Sequence, residues 1–131
     1  VIYIMNKPVL SLIAAILVVT IDSIYLNAIK GYFGKQIQDV QKTPMKLDMS
    51  ATVLAYVFIV FAINYFIIHR RASVSDAFLL GLVIYGIYEF TNKALLTRWT
   101  YNTVIIDTLW GGILFALVTY LTYAIASIFK I

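Results

Sequence analysis

Three carboxylates stand inside apolar stretches of this 131-residue chain: Asp22, Glu89 and Asp107. Glu89 belongs to Tyr88-Glu89-Phe90-Thr91-Asn92, which sets a carboxylate and a carboxamide near the far end of an apolar run. Asp107 belongs to Ile106-Asp107-Thr108-Leu109-Trp110-Gly111. An ionised acid at a bilayer centre costs about 2.5 to 3.5 kcal/mol even on the lenient insertion scale, so such residues face a protein interior and have a partner or a proton. The chemistry open to them is binding or passing a proton, a cation or a small polar solute. The competing reading is a satisfied polar network. Glu89 precedes Lys93 by four residues, the favourable order for a helical ion pair. Asp107 lies near a helix start, where the helix dipole favours an anion, and Arg98 can reach the interfacial end of the same layer.

Other chemistries have less support. The absence of cysteine and the single histidine exclude disulfides, thiolate nucleophiles, Cys-ligated metals and multi-His metal sites. No set of nucleophile, base and orienter is visible, and no Gly-rich phosphate loop. No catalytic residue, metal or cofactor is assigned, and an enzyme is the less favoured class.

The elements that must carry these acids follow from composition. The chain is 63% hydrophobic and 12% charged, where soluble domains are about a quarter charged, and its mean hydropathy is +0.93. A spanning helix takes about 20 mainly apolar residues, and the length accommodates four. The expected fold is an all-α integral membrane protein: one transmembrane domain over 1–131, a bundle of four transmembrane helices at about 8–29, 50–69, 76–97 and 102–129. The polar loop 30–48 separates the first two. Within it Phe33, Ile37 and Val40 share a helical face opposite Lys35, Gln38, Asp39 and Lys42, which suits a short interfacial helix ended by Pro44 as well as it suits a loop. Position 1 is Val, so a natural start upstream or at Met5 is expected. The first span is longer than the roughly 7 to 15 apolar residues of a cleaved signal peptide, the alternative for this segment.

The net charge of +4 and pI of about 9.3 do not indicate nucleic acid, because the basic residues gather at span ends, as on membrane proteins. Arg70 and Arg71 mark one membrane edge, and Arg98 with Trp99 reads as an interfacial anchor pair. His69 is read as interfacial, and Asn64 as an interhelical hydrogen bonder. Ser75-Asp76 and Asn102 are candidate N-caps. Ala51 with Ala55, and Gly112 with Ala116, are small residues at the spacing that lets helices approach closely. Lys30, Lys35, Lys42, Lys46, Lys93 and Arg98 lie on one side against Lys7, Arg70, Arg71 and Lys130 on the other, which slightly favours the first side as cytoplasmic.

Alternating helix directions bring the acids together. Asp22 and Glu89 each lie about eight or nine residues before the end of parallel spans, hence at similar depth at roughly 1.5 Å per residue. Asp107 and Tyr56 enter from that side on the other two. Tyr85, Glu89 and Asn92 share one helix face, as do Asp107, Trp110 and Gly111. The expected pocket therefore comprises Asp22, Tyr25, Tyr56, Tyr85, Glu89, Asn92, Asp107 and Trp110, with Trp110 as a wall. There is also a local echo: Ile21-Asp22-Ser23-Ile24-Tyr25 resembles Ile106-Asp107-Thr108-Leu109-Trp110 on an oppositely directed helix. Inverted repeats leave such traces, and so does chance.

Tyr88-Glu89-Phe90-Thr91-Asn92, Ala94, Trp99 and Ile106-Asp107-Thr108-Leu109-Trp110-Gly111 together resemble a signature of roughly Y-D-L-T-N-x-A, a tryptophan, then V-D-x-x-W-G. It is the signature of a family of small predicted membrane proteins of unknown function, domain of unknown function 2177. Asp22 and Tyr25 are similar to an Asp and a following aromatic in that family's first helix. Glu89 stands where the family usually has Asp, and Lys93 where it usually has an apolar residue. The resemblance implies a four-helix membrane protein and no particular activity. Three functions remain open: a pocket for a proton, cation or small polar solute, whose transport would need a homo-oligomer; a structural or accessory subunit beside a membrane partner protein; and a lipid-active enzyme, which requires a groove open to lipid beside Glu89 and Asp107. The lipid bilayer is the one partner common to all three, and which membrane is not specified.

Overall fold

The computed structural model describes residues 6–131, so Met5 lies outside the described residues. Among the described residues four helices are long and apolar enough to cross a membrane, as expected of a multi-pass integral membrane protein. Helix α1 spans Lys7–Gln41, α2 Met49–Ile63, α3 Val74–Leu95 and α4 Tyr101–Phe129. Asn6 caps α1 by accepting from the Val9 N–H at 3.3 Å, with Pro8 in the first turn, where its missing N–H costs nothing. The segment from Lys30 continues α1 rather than forming a loop or a separate interfacial helix. It ends only where Lys42 turns left-handed (φ 65°) ahead of Pro44. At 35 residues and roughly 1.5 Å per residue, α1 far exceeds a hydrocarbon core of about 30 Å. Its last turns project from the membrane, and the true connection to α2 is only 42–48.

Helix α2 is capped by Asp48, whose carboxylate accepts from Ala51 N–H at 3.1 Å. It runs into a π-helical turn, Asn64–Ile68, where the backbone opens by one residue per turn and frees carbonyls. Tyr123 of α4 fastens the end of this turn to the bundle: its hydroxyl reaches the carbonyls of Ala72 at 2.8 Å and of Ile67 at 3.3 Å, the latter also accepting from Ala72 N–H at 2.9 Å. Asn64 is buried and donates to the Ser11 carbonyl at 3.4 Å, and His69 is paired with the Ser11 hydroxyl. Asn64 thus bonds between helices as expected. His69 is half-buried and ties α2 to α1. Two caps sit slightly off the expected positions: Ser73, not Ser75-Asp76, starts α3, and Thr100, not Asn102, starts α4.

Helix α4 is the axis of the bundle. It buries Thr103, Val104, Asp107, Gly111, Leu114, Phe115, Val118 and Thr122 among others, and α1 lays Leu10, Ala14, Val18 and Asp22, each four apart, into the interior. Helix α3 approaches α4 most closely where Gly81 meets Gly111, and Phe78 lies over Gly112. Ala51 and Ala55 of α2 are exposed instead. Helix α2 buries only Ile63 before its π turn. Its anchorage is at that end, and its other half leans away from α3.

Candidate functional site

Side chains from all four helices meet in one layer. Asp22 on α1 is 6% exposed, Glu89 on α3 is 0% and Asp107 on α4 is 8%. Each carboxylate is held by neutral donors. Asp22 accepts from the Tyr56 hydroxyl at 2.6 Å and from the Trp110 indole N–H at 2.9 Å. Asp107 accepts from the Tyr25 hydroxyl at 3.2 Å. Glu89 accepts from the Trp99 indole N–H at 2.7 Å. Its other oxygen, Oε2, is buried and receives no hydrogen bond from a neutral donor; the Asp107 carboxyl lies within hydrogen-bonding reach of Glu89, so a proton on either acid would join the two. Lys93, four residues on, places its ammonium 5.0 Å from the centre of the Tyr101 ring rather than on Glu89. The acids are therefore solvated by dipoles while their charge has no counter-ion among these contacts, and a charge in that setting needs a proton or a cation.

The echo between α1 and α4 has a geometric counterpart. Asp22 bonds Trp110, Asp107 bonds Tyr25, and the two aromatic rings stack with centroids 4.2 Å apart and planes 5° from parallel. Each Asp-x-x-aromatic motif thus clasps the other, with the antiparallel helices bringing both acids to one depth.

A cleft of about 240 Å³ opens on this layer, lined by Asp22, Tyr25, Tyr85, Tyr88, Glu89 and Asp107, with Leu26, Phe33, Ile37 and Met45 toward its rim. Tyr85 packs its ring on Gly111 and forms the floor. Of the eight residues expected in the pocket, Asp22, Tyr25, Tyr85, Glu89 and Asp107 line the cleft, while Tyr56 and Trp110 stand behind it, bonded to Asp22. Asn92 is the exception: α3 turns Tyr88 toward the cleft instead, and Asn92 is half-buried one turn beyond, outside the cleft, its carbonyl closing the helix on Leu96 N–H. Trp99 is corrected as well. It is 4% exposed and folds inward onto Glu89 instead of standing at the interface. Arg98 and Arg70 are exposed, and Arg70 lies over the Tyr65 ring at 4.8 Å. Arg71, also exposed, holds a left-handed backbone (φ 53°) between α2 and α3.

Gln36 is a second residue that the sequence did not single out. It is buried, donates to the Arg98 carbonyl at 2.7 Å and accepts from Thr103 Oγ1 at 2.9 Å and from Thr100 N at 3.2 Å. The projecting end of α1 is thereby fastened to the turn that presents Trp99. The signal was the spacing Asp22, Tyr25, Ile29, Tyr32, Gln36, which continues one helical face past the apolar span. Gln36→Ala should cost about 1–3 kcal/mol by leaving these backbone groups unpaired, and hydrogen exchange at 97–100 should accelerate. Unchanged exchange there would show that Gln36 fastens nothing.

Nothing among curated proteins and nothing among solved structures matches the chain. A family model described as a predicted membrane protein, DUF2177, matches residues 8–124, a range that contains all three acids, both tryptophans and Gln36. The protein therefore belongs to the DUF2177 family of predicted membrane proteins.

Proposed function

We propose that this membrane protein binds a positively charged species, a proton or a monovalent organic cation, at the carboxylates of its interior layer. The observation that carries the reading is Glu89: a completely buried acid lining an open cleft, with one oxygen that no neutral donor reaches and a second acid, Asp107, beside it. A site evolved only to fix helix register would be expected to satisfy both oxygens, since an unmet buried acceptor costs stability. Organic cations and protons fit better than a divalent metal, because no three acidic or imidazole groups among the described residues converge closely enough to hold one. The tyrosine rings around the cleft add faces that attract ammonium groups. Passage across the membrane, as distinct from binding, would draw on a second copy of the chain, because the Gly81–Gly111 contact closes α3 on α4.

The test is uptake or conductance in proteoliposomes over a panel of pH values and organic cations, beside binding to the purified protein, with Glu89→Gln and Asp107→Asn in parallel. Binding that disappears in variants still eluting as folded protein is the expected result. Unaltered behaviour of both variants would remove the acids from function. Variants that fall apart, with no cation bound by the parent protein, would instead assign the layer to structure and direct attention to a partner subunit.

A further inference from the structure

Resting on the cation-binding reading, we infer the chemical class of the ligand: an amphiphilic amine, with a charged head at the acid layer and a hydrocarbon chain lying between α2 and α3. The acid cleft is not alone. A second cleft, of about 330 Å³, is lined by Ala55, Phe58, Ile59, Ile84, Tyr85, Tyr88 and Asp107. Tyr85, Tyr88 and Asp107 line both, so the two adjoin at the acid with only these side chains between them.

Their chemistry divides sharply. The first carries three carboxylates, whereas the second is apolar except at its Asp107 end. By itself the acid cleft falls short of the roughly 300–1,000 Å³ of ordinary ligand sites, and only with its apolar neighbour does it reach that range. The apolar part exists because α2 leans away from α3, leaving Ala55 and Ile59 facing a gap that a larger side chain would have filled. Phe58 stands 73% exposed at its mouth, on a helix surface that faces lipid. Entry is therefore sideways from the bilayer, past Phe58 and Tyr88. Charge complementarity selects the head: a cation meets carboxylates that have no counter-ion among the described residues, while an anionic headgroup would be repelled. The apolar groove selects the tail, since a small hydrophilic cation would leave it to hydrocarbon already present.

The experiment titrates the purified protein in maltoside micelles with dodecylamine, propylamine and dodecanol, reading tryptophan fluorescence, which reports on Trp99 and Trp110, both hydrogen-bonded to acids of the layer, and the thermal midpoint. Dodecylamine should bind saturably, at least about tenfold more tightly than propylamine because of its buried methylenes, and dodecanol should not compete. Glu89→Gln should weaken both amines. Ala55→Trp, which fills the apolar groove away from the carboxylates, should weaken dodecylamine about tenfold and leave propylamine unchanged, the latter serving as the check that the variant is folded. Equal affinity for the two amines would overturn the amphiphile and leave the small-cation site standing. Dodecanol bound as tightly as dodecylamine would overturn selection by charge. Absence of binding by either amine would overturn the cation reading itself.

Discussion

Gly81→Ala is expected to break the bundle at its tightest crossing. A methyl group there would run into the backbone carbonyl of Gly111 and lie 2.9 Å from the Phe115 Cβ, and a Cβ on Gly111 would meet the Tyr85 ring and lie 2.6 Å from the Gly81 carbonyl. None of these obstacles is the free end of a flexible side chain, so relief requires the helices to separate. The loss should reach or pass the upper end of the about 1–3 kcal/mol that overpacking usually costs, and it should be larger for Gly111→Leu. Because Tyr85 on Gly111 is the floor of the acid cleft, amine binding should fail along with stability. Gly31→Ala and Gly34→Ala supply the contrast: neither added methyl meets anything within 4 Å, and each should raise stability by up to about 1 kcal/mol through helix propensity. Unfolding in mixed micelles by added dodecyl sulfate measures all four. A Gly81→Ala protein as stable as the parent would mean that α3 and α4 do not cross as closely as described.

The course of the chain was legible where hydropathy decides it. Four apolar runs of sufficient length give four helices, and alternating direction alone puts Asp22, Tyr56, Glu89 and Asp107 at one depth. The end of α1 was not legible, because beyond Lys30 the residues are polar enough for a loop and helical periodicity must be read against a weak apolar contrast. Asp22, Tyr25, Tyr32 and Gln36 show that the inner face continues, but its partners are backbone groups of the α3–α4 turn, which no side-chain pattern advertises. Asn92 was misplaced for a related reason: spacing of i, i+4, i+7 defines a stripe, while the cleft follows the adjoining Tyr85, Tyr88 and Glu89 because α2 leaves that side of α3 uncovered. The rotation of a helix about its axis is set by its neighbours. The close Gly81–Gly111 contact was likewise hidden: Gly111 has no small partner four residues away on its own helix, and the Ala77–Gly81 pair on α3, common by chance as such pairs are, was not read as a contact face.

Trp99 is where the reading from sequence and the structure make opposite predictions. As an interfacial anchor beside Arg98, its replacement by phenylalanine would be nearly neutral, because both rings partition to the headgroup region. Buried against Glu89, the same change removes the indole hydrogen bond to a carboxylate that water does not reach. Trp99→Phe should then cost about 1–3 kcal/mol, and Trp99→Ala about 3–5 kcal/mol once the cavity is included. A double-mutant cycle separates the bond from the packing. In a Glu89→Met background the indole N–H has lost its acceptor, so Trp99→Phe should become neutral or mildly stabilising, giving a coupling of about 1–3 kcal/mol. Additive effects would return Trp99 to the interface. A strong coupling would instead tie the stability of the α3–α4 turn to the acid that is proposed to receive the ligand, so that a cation arriving at Glu89 would be felt at Trp99 and, through Gln36 and Thr100, at the projecting end of α1.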